Sequence, residues 1–296
     1  MYNQFLYVFQ FDNLNPAVWR MGSKDNPVYM AVTDFPFAQT FNVDTLDTLE
    51  MLRPGSNSLS GITHWMREPG TDNSIYPMGK RGKTLLDPNY IEVQRFTPTN
   101  TNFSNPEVVS TFNLKKMSMQ HSFSITENYA IFLFGPVVMS SNPMCMMKNR
   151  FHILECTEVL EDEETDIYVV NLKTKEVREL SANVLFAMHH INAYEINEGT
   201  EIVLDLSPTD ELALKTYPVL DNMMNPPENS TSDDTSTCGA HEVTRYHINL
   251  ETNEVTPTTF PNLLTASTGS RFINKFDMGV INEAFRGREV SWFLLF

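Results

Sequence analysis

The chain has 296 residues, 41% hydrophobic and 20% charged, which suits one large globular domain or two ordinary ones with a sizeable core. A formal net charge of −16 excludes nucleic-acid binding through a basic patch and disfavours purely electrostatic attachment to anionic lipid. No apolar run reaches the roughly 18–20 residues of a membrane span, and the opening "MYNQFLYVFQF" lacks the basic region and cleavage site of a signal peptide.

Strand signals are dense along the chain, and helical periodicity is scarce. "FNVDTLDTLEM" at Phe41–Met51 reads as strand, short polar turn and strand. "GITHWMREPGTDNSIYPMG" follows, with a turn at Pro-Gly-Thr-Asp-Asn and His64 on its first strand. "MQHSFSITENYAIFLFG" repeats that form around Glu-Asn and carries His121. Cys145, Cys156 and Cys238 are odd in number with no CxxC spacing, so neither a disulfide framework nor a thiolate zinc site is expected. The acidic run "EDEETD" at Glu161–Asp166 reads as a solvated turn. "YVVNLKTKEV" at Tyr168–Val177 and "YHINLETNEV" at Tyr246–Val255 share six residues in one register and repeat the first hairpin type. Between them, "FAMHHINAYEINEGTEIVLDL" turns at Asn-Glu-Gly and carries His189 and His190. Asp221–Ala240, rich in Asn, Ser, Thr and Asp, reads as a long excursion between strands.

Two hairpin types thus alternate, and one type carries the histidines. Their spacing somewhat exceeds the roughly 40–50 residues of common propeller blades. The expected fold class is all-β, a β-propeller. Equivalent positions on the innermost strands of a propeller converge at its axis, which would bring His64, His121 and His189 together. Neutral imidazole suits iron, zinc, copper and nickel. Adjacent strand residues face opposite ways, so only one of His189 and His190 can join such a cluster. No HExxH helix, GxSxG elbow, Walker loop or GxGxxG turn appears.

"THWMREPGTDNSIYPMG", "HSFSITENYAIF" and "MHHINAYE" resemble three signatures of the carotenoid cleavage oxygenases, which include animal β-carotene oxygenases and the retinoid isomerohydrolase of the visual cycle. "YMAVTDFPFAQTFNVDTLDTLE" and "FDMGVINEAFRGREVSW" resemble the family's flanking segments, so the likeness covers nearly the whole chain in order. It implies a single domain over residues 1–296, belonging to a seven-bladed propeller with an axial Fe(2+) held by four histidines. His64, His121 and His189 would be three of them, His189 being the histidine three residues before the Asn of Asn-Ala-Tyr-Glu. His190 would then point into blade packing. A ligating imidazole usually passes its second N–H to a carboxylate. The family uses glutamates, and the matching residues here are Asp34 and Asp277, each one methylene shorter.

The implied activity is oxidative cleavage: iron(II)-dependent insertion of O2 across a conjugated double bond of a carotenoid, giving retinal or an apocarotenal. A retinoid isomerohydrolase is the alternative within the family. The partners implied are an apolar carotenoid or retinoid and O2. The family's membrane-inserting patch has no counterpart in this stretch, so a cytoplasmic protein is expected, with peripheral membrane contact made by segments upstream. The end at "REVSWFLLF" leads us to expect a partial propeller, incomplete at both ends and lacking its fourth histidine. Such a piece would be a catalytically silent fragment that binds little iron.

Overall fold

The computed structural model describes residues 17–52, 57–84, 87–118, 120–139, 145, 156–160, 162–183, 187–208, 243–259 and 281–289. The chain divides into two compact units, Met1–Lys115 and Lys116–Phe296. No helix among the described residues is long and apolar enough to cross a membrane.

The first unit holds two antiparallel sheets. One is a meander of β1 (Ala17–Gly22), β2 (Pro27–Val32), β3 (Ala38–Phe41) and β4 (Thr48–Leu52). The other runs β5 (Ser58–Ser60), β7 (Ser74–Lys80), β8 (Tyr90–Phe96) and β9 (Glu107–Asn113), with β6 (Met66–Arg67) added beside β7. Met21, Met30, Val32 and Ala38 of the first sheet pack in one cluster with Trp65, Tyr76, Met78, Phe96 and Phe103.

The second unit repeats the plan. One meander is β10 (Ser124–Ile125), β11 (Tyr129–Phe134), β14 (Thr165–Asn171) and β15 (Val177–Ala182), with the hairpin β12 (Val137–Met139) and β13 (Thr157–Val159) inserted after β11. The next is β16 (His190–Ile196), β17 (Glu201–Leu206), β18 (Thr244–Asn249) and β19 (Val255–Thr259). These two sheets pack face to face: Ile131, Leu133, Ile167 and Val169 meet Ala193, Ile202, Leu204 and Ile248 in one buried cluster. Four-stranded meanders stacked on apolar faces are the form of propeller blades.

Burial follows position within each sheet. The inner strands β7, β14 and β17 are buried almost throughout, whereas the outer β9 is mostly exposed and β15 half so. A strand covered on both faces reads as a continuous apolar run rather than an alternation.

The repeated hairpins share one turn. The side chains of Asn42, Asn171 and Asn249 each accept the N–H groups two and three residues ahead. Each turn then closes through a left-handed residue, Leu46, Lys175 or Asn253, with φ of 61°, 68° and 63°. Asparagine offers its own side chain as a turn-forming acceptor, which explains why the sequence repeat keeps it. In every case the turn joins the third and fourth strands of its sheet.

One expectation is corrected and another holds in part. Cys145 and Cys156 are joined in a disulfide. The β12–β13 hairpin folds the chain back on itself and brings their Cα atoms to 5.7 Å, within bridging range. Spacing rules that look for a multi-cysteine framework do not register a single bridge of this kind. In the acidic run, Asp162, Glu163 and Glu164 are exposed and outside any strand, as expected of a solvated turn. Only the end of the run departs from that reading: Asp166 is buried on β14, 3.5 Å from the Lys116 ammonium, which also meets Glu163. The excursion at Asp221–Ala240 lies outside the described residues.

Candidate metal centre

The three histidines do not sit on first strands as their hairpins suggest; each lies just before one. His64 lies between β5 and β6, His121 precedes β10, and His189 immediately precedes β16. The physical reason is visible at His189, where a serine side chain rather than a neighbouring strand satisfies the backbone. Ser122 Oγ donates to Met188 O at 2.7 Å and accepts the His190 N–H at 3.0 Å.

In the first unit, His64 is half-buried on a segment pinned from both sides. Asp34, just after β2, accepts the Thr63 N–H at 3.0 Å and the Thr63 hydroxyl at 2.7 Å through one carboxylate oxygen. Its backbone carbonyl accepts the Gly61 N–H at 2.7 Å. On the other side of His64, the Trp65 ring stacks on Tyr76 at 4.1 Å and on Phe96 at 5.4 Å between centroids. Burial, reinforced by the Asp34 charge, pushes the Tyr76 phenol far above its ordinary range despite a backbone hydrogen bond at Ile62, so it stays neutral.

In the second unit the structure brings His121 and His189 together. Their rings meet edge to face, with centroids 5.1 Å apart and planes at 83°. A ring nitrogen of each lies within 4.8 Å of the other. His190 goes the other way, as strand alternation requires: it is 7% exposed, with Nδ1 2.9 Å from Ser124 Oγ. The β16–β17 register shifts between His190 and Asn192, an irregularity of the kind found where a strand re-aims a side chain.

The remaining motif residues have structural roles that the sequence did not suggest. Asn192 donates to Arg288 O at 2.9 Å and accepts the Gly287 N–H at 3.2 Å, holding residues 281–289 against β16. Glu195 accepts hydrogen bonds from the Thr126 hydroxyl and from both nitrogens of Asn128 at 2.6–2.8 Å. The signal for these contacts is the alternation Ser122, Ser124, Thr126, Asn128 in "HSFSITEN", a polar group at every second position. Asp277 lies outside the described residues.

The donor chemistry fits iron: two imidazoles share one small space, and imidazole nitrogen is a suitable ligand for that metal. Next to the histidines, Trp65 Nε1 and both amide atoms of Gln120 are buried with no hydrogen-bond partner among the described residues. Such groups cost about 1–3 kcal/mol each, and Arg20 and Gln94 carry others elsewhere.

Comparison with known proteins bears on the family and the fold. A family model described as RPE65: Retinal pigment epithelial membrane protein matches residues 15–295. The Homo sapiens beta,beta-carotene 15,15'-dioxygenase is 30% identical over 105 residues, covering 34% of this chain and 19% of that protein. A glutamate-to-aspartate variant of the Synechocystis apocarotenoid oxygenase superposes with a TM-score of 0.67 at 18% identity, over 90% of this chain and 51% of its own. The cobalt-substituted form of that oxygenase gives 0.65 at 18% identity, again over 90% and 51%. A chimera of that oxygenase with RPE65 gives 0.68 at 18% identity, over 95% of this chain and 53% of its own. The chain therefore spans about half the length of these solved relatives. At such identities the likeness shows the fold, which is all-β and of the β-propeller class. With the family model matched from residue 15 to residue 295, the chain belongs to the RPE65 family, the carotenoid cleavage oxygenases.

Proposed function

We propose that the protein is an iron(II)-dependent dioxygenase that cleaves a conjugated double bond of a carotenoid to aldehyde products. His64, His121 and His189 would hold the metal. The observation that carries the proposal is the edge-to-face pair of His121 and His189, two imidazoles meeting where the family's motifs place ligands. His64 would join them as the equivalent residue of another blade. Iron(II), when bound, supplies O2 activation. Asp34 fixes the backbone ahead of His64 through Thr63, and Asp277 would take an imidazole N–H. The substrate would be an apolar carotenoid or retinoid.

The test uses protein expressed from its full transcript, loaded anaerobically with Fe(II), and offered β-carotene or a retinyl ester. Aldehyde formation from β-carotene that needs both iron and O2 supports the proposal. Turnover of the ester without O2 would identify an isomerohydrolase instead. An iron-loaded protein that turns over neither would contradict both.

A further inference from the structure

The β10 and β16 strands belong to different sheets and share no backbone ladder, since β10 pairs with β11 and β16 with β17. Yet every second residue from Ser122 to Asn128 directs a polar group at β16 or the residues just before it. Ser122 reaches Met188 and His190, Ser124 reaches the His190 ring, and Thr126 and Asn128 reach Glu195. Phe123, between the two serines, is fully buried and stacks on Phe132 at 5.1 Å. One face of this stretch packs its own sheet while the other stitches two sheets together.

Ser122 differs from the other members of the comb. Its single hydroxyl binds the carbonyl immediately before His189 and the amide immediately after it. Ser122 is also the residue that follows His121, and it is only 3% exposed. A hydroxyl can donate once and still accept, and here it does both with the backbone on either side of one residue. The two histidines are 68 positions apart in sequence but are coupled through one oxygen atom.

We infer that Ser122 is a positioning residue: its hydroxyl sets the distance and angle between the His121 and His189 imidazoles and so tunes the affinity of the pair for a divalent metal. This inference rests on the metal-centre reading proposed above. Ser122 touches no reacting atom; it acts through the two backbones. Partners that orient metal ligands are worth roughly 10–100-fold in metal affinity when lost.

The test is Co(II) titration of protein from the full transcript, followed by the visible absorption of the bound ion, with thermal melts of the metal-free protein alongside. Ser122→Ala should weaken Co(II) binding by roughly 10–100-fold and change the absorption band. Ser122→Cys, which keeps the size but bonds weakly, should shift both in the same direction, and it decides the matter if the alanine variant does not fold. Ser124→Ala removes a neighbouring tooth of the comb, the bond to the His190 ring, and leaves both backbone bonds beside His189 in place. It should lower the melting temperature and leave Co(II) affinity and spectrum unchanged. Wild-type affinity and spectrum in the foldable Ser122 variant would overturn this inference alone, as would an equal loss of affinity in Ser124→Ala. A wild-type protein that binds no Co(II) would overturn the metal reading and the inference with it.

Discussion

One carboxylate oxygen of Asp34 accepts both the backbone N–H and the hydroxyl of Thr63, the residue before His64. Removing that carboxylate strands a buried amide, because Thr63 is only 1% exposed. Asp34→Ala should therefore cost about 2–4 kcal/mol of stability, at and above the usual cost of a lost charged hydrogen bond. Asp34→Asn keeps an acceptor oxygen and should lose less than half as much. Denaturant unfolding of the two variants measures the difference. Equal losses would mean that the hydrogen bonds to Thr63 are not what Asp34 contributes.

Gly61 lies against Tyr76 and the Phe35 backbone. A Cβ added there would meet Tyr76 Oη at 2.2 Å and Phe35 O at 2.6 Å. The carbonyl belongs to the main chain and cannot swing aside, so Gly61→Ala should destabilise the first unit by about 1–3 kcal/mol. It should also displace the segment leading to His64. A melting temperature unchanged from wild type would contradict this packing.

The three asparagine turns offer a test of sign. Lys175 is exposed and holds φ of 68°, a conformation that burdens a side chain carrying Cβ. Lys175→Gly should stabilise the protein by up to about 1 kcal/mol. Asn171→Ala, which removes the acceptor for two backbone amides in the same turn, should destabilise it by about 1 kcal/mol. A stability assay giving the same sign for both variants would refute this account of the turn.

Local chemistry made part of this fold legible. The Asn-centred hairpins announce themselves because a turn is specified by residues a few positions apart, and the same letters recur at Asn171 and Asn249. The division of labour between His189 and His190 follows from strand alternation, and His190 is indeed buried against Ser124. Contacts between sheets leave only half a trace: the alternation from Ser122 to Asn128 marks a polar face but not what that face meets. Ser122 meets Met188 across 66 positions, and nothing near Ser122 names its partner. His64 and His189 precede their strands where a carboxylate and a hydroxyl, rather than ladder neighbours, hold the adjoining backbone. That arrangement appears only once the sheets are packed. Asp277 and the polar excursion at Asp221–Ala240 lie outside the described residues, so the structure adds nothing to their reading.

The Cys145–Cys156 bridge leaves Cys238 as the remaining cysteine of three. Thiol titration under denaturing, non-reducing conditions should count one reactive group per chain. Cys145→Ser should cost about 2–3 kcal/mol, the amount expected from opening a loop of this size. Three reactive thiols in freshly purified protein would show that the bridge does not form in solution.

Iron content in paired histidine variants tests the central claim most directly. Protein from the full transcript, reconstituted anaerobically with Fe(II) and desalted, would be measured by elemental analysis as wild type, His189→Ala and His190→Ala. The wild type should retain about one iron per chain, a single site being all that three histidine ligands can build. His189→Ala should lose it. His190→Ala should melt earlier, having lost its bond to Ser124, and still retain the metal. Iron kept by His189→Ala and lost by a folded His190→Ala would contradict the account.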